Sequence, residues 1–525
     1  MVTQTNIDNK IHFLDYNSPD HEGDFRLLEL SVHSRNNDDV VELNSTSVFQ
    51  EMEIFEDLFS NVLKGTLTIT DSQGLAELLP FVGDETLVIT LHTPGGQGTS
   101  IPRVTSSRTV VEEAIQQRFQ IYDCVEVGTQ ERTKLYKLFF ISEEYILNMK
   151  KRISKAYKGK TYSDIIKDIV DNFYGQHNNA FRKEVFTEQT LSEQNIIIPN
   201  WSPFEAVNFC ASRSLSADIE PQDHTNTNQP LPPRPVGSLF FFYEKFGSGF
   251  YFESLESLII KQKMSGRLPT YQYAPKLTSG KSKELPVGYF HVDRYEVDSS
   301  FKTLENLGMG TFGSKLIAYD PIRMKYDTIK YDYYKNRNNQ NITRMEDGDM
   351  IINNPENLED DSNRIFGDFI ATDVNAGDGK PNKFVSTDSY LLGSHDASIR
   401  LATTTRDHQT VLRDKEAKQN YVEKWLLQRM VQIQEFDNII VKINVPGNSS
   451  RHVGDLIRFE MPTSVPDDDP LVPSVDYGHR ILSGNYLISS IRHIIKIDKY
   501  EMDMELIKNS FATRLSGQKV EGTTQ

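Results

Sequence analysis

The sequence predicts an α+β fold rich in strands, in which two β-rich units bracket a helix-containing middle. Three observations predict it. Near the N-terminus, GTLTITDS sets Leu67 and Ile69 on one face and Thr66, Thr68 and Thr70 on the other, the period of two of a half-buried strand. Near the C-terminus, YEMDMELI sets Tyr500, Met502, Met504 and Leu506 against Glu501, Asp503 and Glu505 in the same way. Between them, two segments carry the start signals and apolar stripes of helices.

In chain order, MEIFEDLFSN repeats Ile54, Phe55, Leu58 and Phe59 as the stripe of a short amphipathic helix, and GLAELLPF reads as a second. ETLVITLHTP, FQIYDCVEV and KLYKLFFISEEYI read as strands and carry the first β-rich unit to residue 146. Thr161 with Asp164 opens a helix whose buried stripe is Ile165, Ile166, Ile169, Val170 and Phe173. Ser202 as N-cap, Pro203 at the first helical position and Glu205 three residues after the cap open another. The Pro-rich segment 217–237 cannot hold a helix and reads as a loop or linker. GSLFFFYEKFGSGFYFESLESLII reads as a hairpin turning at Gly247 to Gly249.

Beyond residue 285, YFHVDRYEV, SKLIAYDP and DTIKYDYY are strand-like, and 336–388 is an insertion dense in Asn, Asp and Gly. A helix from about Val411 to Met430 presents Tyr421, Val422, Trp425 and Leu426 on one face. NIIVKINV, DLIRFEM, NYLISSIRHIIKI and YEMDMELI return to strands. The expected units are therefore 1–146 (β-rich), 147–284 (α/β middle), 285–335 with 389–511 (β-rich), the insertion 336–388 and a flexible tail 512–525. A chain of 525 residues is several times a domain of ~150 residues, so more than one core is expected.

With 57 basic and 74 acidic side chains the net charge is −17, which disfavours a surface that coats nucleic acid. The N-terminus lacks the basic-then-apolar pattern of a signal peptide, and no window reaches the ~18 apolar residues of a membrane helix, so a soluble chain without stable membrane insertion is expected. Cys124 and Cys210 alone exclude a four-cysteine zinc site and read as buried small hydrophobes.

Gly308, Gly310 and Gly313 form a GxGxxG match, but a helix-like segment precedes it and a strand-like one follows, the reverse of a dinucleotide site. The glycines read as a helix-to-strand turn. His452, His479, His493 and the run Asp467, Asp468 and Asp469 lack helical i, i+4 ligand pairing, and the acidic run sits between prolines in a loop. There is no GxSxG elbow, and acidic pairs such as Glu143 with Glu144 or Asp360 with Asp361 do not define a hydrolytic spacing. No catalytic, cofactor-binding or metal-binding residues are assigned, and an enzyme is not expected.

Three stretches together carry a family resemblance: FQEMEIFEDLFSNVLKGTLTITDSQGLAELLPFVGDETLVITLHTP, NWSPFEAVNFCASRS, and VKINVPGNSSRHVGDLIRFEMP with SGNYLISSIRHIIKIDKYEMDMELI. They resemble the central baseplate hub protein of contractile-tailed bacteriophages, a family akin to the hub part of type VI secretion spikes. The resemblance spans about residues 25 to 510, apart from the polar insertion. It implies two tail-tube-like β-barrels split by the α/β region, and a homotrimer whose six barrels imitate the hexameric tail tube. It further implies a virion protein of the tail baseplate, assembled in the host bacterial cytoplasm. Its partners would be the tail tube ring, the central spike or spike-lysozyme, and the tape measure and baseplate wedge proteins. DNA would pass through the lumen only transiently. The competing expectations are a peptidoglycan-degrading or other hydrolytic tail enzyme and the hub of a related contractile injection system.

Overall fold

The fold was analysed in a computed structural model, which describes residues 25–34, 40–72, 82–93, 115–130, 133–173, 183–191, 193–217, 237–264, 268–273, 290–299, 302–309, 313–320, 325–332, 389–393, 422–436, 438–462 and 481–511, with residues 23, 74, 311, 345 and 479. The first unit holds β1 (Arg26–His33), β2 (Val40–Glu42), β3 (Phe49–Asp57), β4 (Lys64–Asp71), β5 (Thr86–His92), β6 (Ile115–Gln130) and β7 (Thr133–Ser142). The middle holds α1 (Glu143–Lys150), β8 (Ile153–Lys160), α2 (Tyr162–Phe173), β9 (Glu184–Thr187), β10 (Gln194–Trp201), α3 (Pro203–Ala211), β11 (Phe240–Glu244), β12 (Gly249–Ser254) and α4 (Leu255–Met264). Then come β13 (Thr270–Gln272), β14 (Arg294–Ser299), α5 (Thr303–Gly308), β15 (Gly313–Asp320), β16 (Lys325–Asp332), β17 (Ser389–Gly393), α6 (Val422–Phe436), β18 (Ile439–Pro446), β19 (Leu456–Glu460), β20 (Gly484–Lys496) and β21 (Tyr500–Lys508).

Thirteen strands from both ends of the chain share one sheet, in the order β14-β18-β21-β20-β3-β4-β7-β6-β5-β1-β2, with β19 also on β20 and β13 on β19. Apart from the parallel β13–β19 pair it is antiparallel, and the described strands close no barrel. The joint between the units is β3 on β20, in register from Asp57 opposite Ser490 to Glu51 opposite Lys496. One apolar core runs under this joint: Met52, Ile54, Leu67 and Phe140 from the first unit lie in the same buried cluster as Val441, Ile491, Met502 and Met504 from the last. β15, β16 and β17 form a separate three-stranded sheet.

A second core belongs to the middle, where Ile165, Ile166 and Ile169 of α2 meet Phe204 and Val207 of α3. β11 ties the two cores together. Its Phe240 and Phe242 face the second core and its Phe241 and Tyr243 the first, which is why FFFYE is an unbroken apolar run rather than an alternating one. The helix caps are as expected: Thr161 Oγ1 accepts the Asp164 N–H at 3.2 Å, and Ser202 with Glu205 forms a reciprocal capping box. The hairpin turns at Gly247, whose φ of +73° suits glycine.

Four expectations are corrected. MEIFEDLFSN is not a helix: most of it is β3, because pairing with β4 and β20 on its two sides outweighs a helical stripe only four residues deep. KLYKLFFISEEYI leaves the sheet at Ser142 and becomes α1, and FESLESLII becomes α4 from Leu255. The long helix before β18 is described over Val422–Phe436, beyond the expected end at Met430. GLAELLPF beyond Gly74, most of 336–388, and Tyr421 lie outside the described residues. Cys210 is buried as expected, whereas Cys124 on β6 is half-buried.

Candidate functional site

β3 alternates with Met52 and Ile54 inward, and the next inward position is Glu56, a carboxylate placed where the core expects an apolar side chain. Glu56 is 1% exposed and is satisfied by three separate parts of the chain. Its oxygens accept the Phe246 N–H at 2.7 Å from the β11–β12 turn and the Val453 N–H at 3.1 Å from the loop before β19. His452 Nδ1 stands 3.3 Å away, and Nε2 of His493 on β20 stands at 3.7 Å. His493 Nδ1 in turn meets the Tyr500 hydroxyl at 2.7 Å. Burial by itself raises the pKa of Glu56, but the adjoining His452 and His493 outweigh it and hold the carboxyl well below the usual range. The group therefore fastens the first unit, the middle and the last unit to one point.

A second buried charge repeats the device. Glu244 at the end of β11 accepts Ser142 Oγ at 2.6 Å, the Leu63 N–H at 3.2 Å and Gln117 Nε2 at 2.8 Å, all from the first unit. Lys183 lies 2.6 Å from both Glu244 and Glu144. Its burial favours loss of the proton, yet the two carboxylates hold it charged and move its pKa upward.

On the opposite, polar face of the sheet, a concave cleft of ≈ 420 Å³ crosses the β3–β20 joint. Lys442 of β18 bonds Asp298 of β14 at 2.9 Å, Asn444 of β18 bonds Asp503 of β21 at 2.7 Å, and Arg492 of β20 pairs with Glu53 of β3. Arg492 also approaches Asp503 at 3.8 Å. These cross-strand pairs fix register and leave the face polar, and the exposed ones add little stability.

The residues weighed from sequence fall in different places. His452 and His493 meet at Glu56, while His479 lies apart and its Nδ1 accepts the Leu482 N–H at 3.1 Å. Asp467, Asp468 and Asp469 lie outside the described residues. No group of three His, Cys, Asp or Glu side chains among the described residues is arranged to hold a metal. Gly308 ends α5 and Gly313 begins β15, in helix-to-strand order. Glu56 is masked in the sequence by the helical stripe of Ile54, Phe55, Leu58 and Phe59; the period of two through Met52, Ile54, Glu56 and Leu58 is the signal that marks it as inward.

No helix among the described residues is long and apolar enough to cross a membrane. No family model and no curated protein matches this chain. Among solved structures, the chain is similar to a tail protein from Neisseria meningitidis MC58 (8% identity, 93% of this chain and 99% of that one, TM-score 0.47). It is similar also to the 43 kDa tail protein of prophage MuSo2 from Shewanella oneidensis (9% identity, 91% and 98%, TM-score 0.43). A third is an E. coli component of the type VI secretion system (10% identity, 94% and 78%, TM-score 0.34). Two of these are phage-type tail proteins and the third is a secretion-system component similar in structure to bacteriophage T4 tail proteins.

Proposed function

We propose that this chain is a structural baseplate hub of a phage tail, a homotrimer that matches a sixfold tail tube on one side and carries a spike on the other. One observation carries this reading. Four strands of the last unit (β14, β18, β21, β20) and four of the first (β3, β4, β7, β6) stand side by side in a continuous run, so one chain supplies two four-stranded β modules already joined edge to edge.

The run has two open ends among the described residues. β14 is paired on one side only, with β18. β6 outruns β5, whose partners stop at Gln120, so its residues 122–130 keep one unpaired side. An unpaired edge is a template for another strand. Joining β14 of one copy to β6 of the next is a head-to-tail contact, and three such contacts close a ring of six modules. In that ring the run curves into the barrel wall expected from the resemblance, with its polar face inward. On that face Glu53, Asp57, Glu296, Asp298, Asp503 and Glu505 outnumber Lys64, Arg294, Lys442 and Arg492, so a passing DNA backbone meets no continuous basic track. The role is structural rather than catalytic, and its place is the virion tail.

Stoichiometry tests the proposal. Three copies on the axis of the assembled particle are expected, and any other number overturns it. Gly447 donates its N–H to Tyr500 of β21, so by strand alternation Val441 and Ile443 turn their backbone groups to β21, and the N–H of Val297, opposite Val441, points away from β18. Val297→Pro is therefore expected to block ring formation while the monomer stays folded, because it removes no bond to β18; a trimer of unchanged stability would show that β14 is not the contact edge.

A further inference from the structure

α1 is built inside out. It presents polar groups to the protein and apolar groups to the surroundings, and Asn148 is its buried residue. Glu144 is held by Lys183 at 2.6 Å, and Asn148 Oδ1 accepts the Phe204 N–H at 2.8 Å. These anchors lie four residues apart on one face. Tyr145 and Met149, also four apart, face outward and are 38% and 65% exposed. Phe59 joins them from the β3–β4 turn, 58% exposed. Its backbone is fixed by Asp57 Oδ1, which accepts the Phe59 N–H at 2.8 Å, and its ring lies edge-on to the buried Phe241 at 5.4 Å.

These three side chains rim a groove of ≈ 450 Å³ whose lining includes Val62 and Phe204, with asparagines along its length. Rigid, exposed aromatic and methionine side chains around a preformed groove are the usual anchors of a protein interface. The charge beside the groove says what would cover it. From Tyr145 to Ser163 the chain has six basic residues and no acidic one, in a protein of net charge −17. Arg152 is paired with Glu205 and Lys155 with Asp168, but Lys150, Lys158 and Lys160 are exposed. Among the described residues β8, which carries the run, is paired only with β10, and Ile197 of β10 is 74% exposed opposite Ala156.

We infer that the groove between α1 and the β3–β4 turn is a docking site for an acidic segment of another polypeptide, which seats an apolar side chain among Phe59, Tyr145 and Met149 and sets its carboxylates against the 150–160 run. The apolar floor selects a protein segment over nucleic acid, and the basic flank selects an acidic one. The inference does not depend on the ring.

The test uses the full chain and a fluorescein-labelled peptide of alternating glutamate and leucine, read by fluorescence anisotropy. Saturable binding is expected, weakened about tenfold or more by Met149→Ser, in line with the loss of one anchoring side chain. Lys150→Glu with Lys158→Glu is expected to weaken it and to flatten its salt dependence, and these exposed sites leave folding intact. Melting of each variant separates lost binding from lost structure. The proposal is overturned by no saturable binding up to millimolar peptide, by equal binding of a peptide with serine for leucine or with glutamine for glutamate, or by tighter binding to duplex DNA or to phosphatidylglycerol vesicles.

Discussion

The Glu56 carboxylate accepts the main-chain N–H of Val453 at 3.1 Å, joining positions 397 residues apart. A backbone donor from the last unit thus ends on a side chain of the first, within reach of His452 and beneath the β3–β20 joint. Loss of this carboxylate leaves the Phe246 and Val453 N–H groups buried without their acceptor. Glu56→Ala should cost about 3–5 kcal/mol in denaturant unfolding, as breaking a buried charged network does. Glu56→Gln keeps one acceptor oxygen and should cost less, about 1–3 kcal/mol. A neutral effect of both variants would show that the joint does not depend on Glu56.

Glu256 of α4 supplies a pH dependence of opposite origin. It is buried, its Oε2 has no hydrogen-bond partner among the described residues, and burial pushes its pKa from 4.5 up to about 8, with Glu188 and Glu435 adding to the rise against the hydrogen bond from Gln432 of α6. The folded state therefore holds this proton more tightly than the unfolded state. Its contribution to stability is whole below about pH 4.5 and declines as pH rises toward 8. Glu256→Gln should flatten that part of the profile, as followed by chemical unfolding between pH 5 and pH 8. A slope unchanged by the substitution would assign it to other groups.

Gly447 lies against the face of Tyr500. A Cβ at this position would stand 2.1 Å from the Tyr500 ring, which is itself buried and held by His493. Gly447→Ala should therefore destabilise by about 1–3 kcal/mol through overpacking. Combination with Tyr500→Leu should relieve part of the cost, a non-additivity that a double-mutant cycle reads directly.

β21 stands between β18 and β20, so it cannot be removed without stripping two neighbours of their ladder bonds. A chain ending at Asp498 should aggregate or unfold. Met502 and Met504 are 0% and 1% exposed, and truncation of either to alanine should cost about 2–5 kcal/mol. Soluble, cooperatively melting protein from the shortened chain would refute this placement.

The sequence by itself determined whatever local chemistry could settle. Alternation in GTLTITDS and YEMDMELI marked inward and outward faces because a strand's period of two is written in every residue. The caps at Thr161 and Ser202 were legible because a cap and its partner lie three residues apart. The same logic made the Gly308-to-Gly313 stretch a helix-to-strand connection, with Gly308 ending α5 and Gly313 beginning β15. Tertiary structure decided the rest. MEIFEDLFSN satisfies a short helical stripe and a strand alternation alike, and only β20, more than four hundred residues away, offers the ladder that makes it β3. The outward display of Tyr145 and Met149 was equally hidden, since it depends on Lys183 and Phe204 holding the polar side of α1. Glu56 lay in plain view as one acidic residue among 74 Asp and Glu side chains. Its meaning comes from donors in three distant segments, and no local pattern encodes a burial cost that only those donors offset.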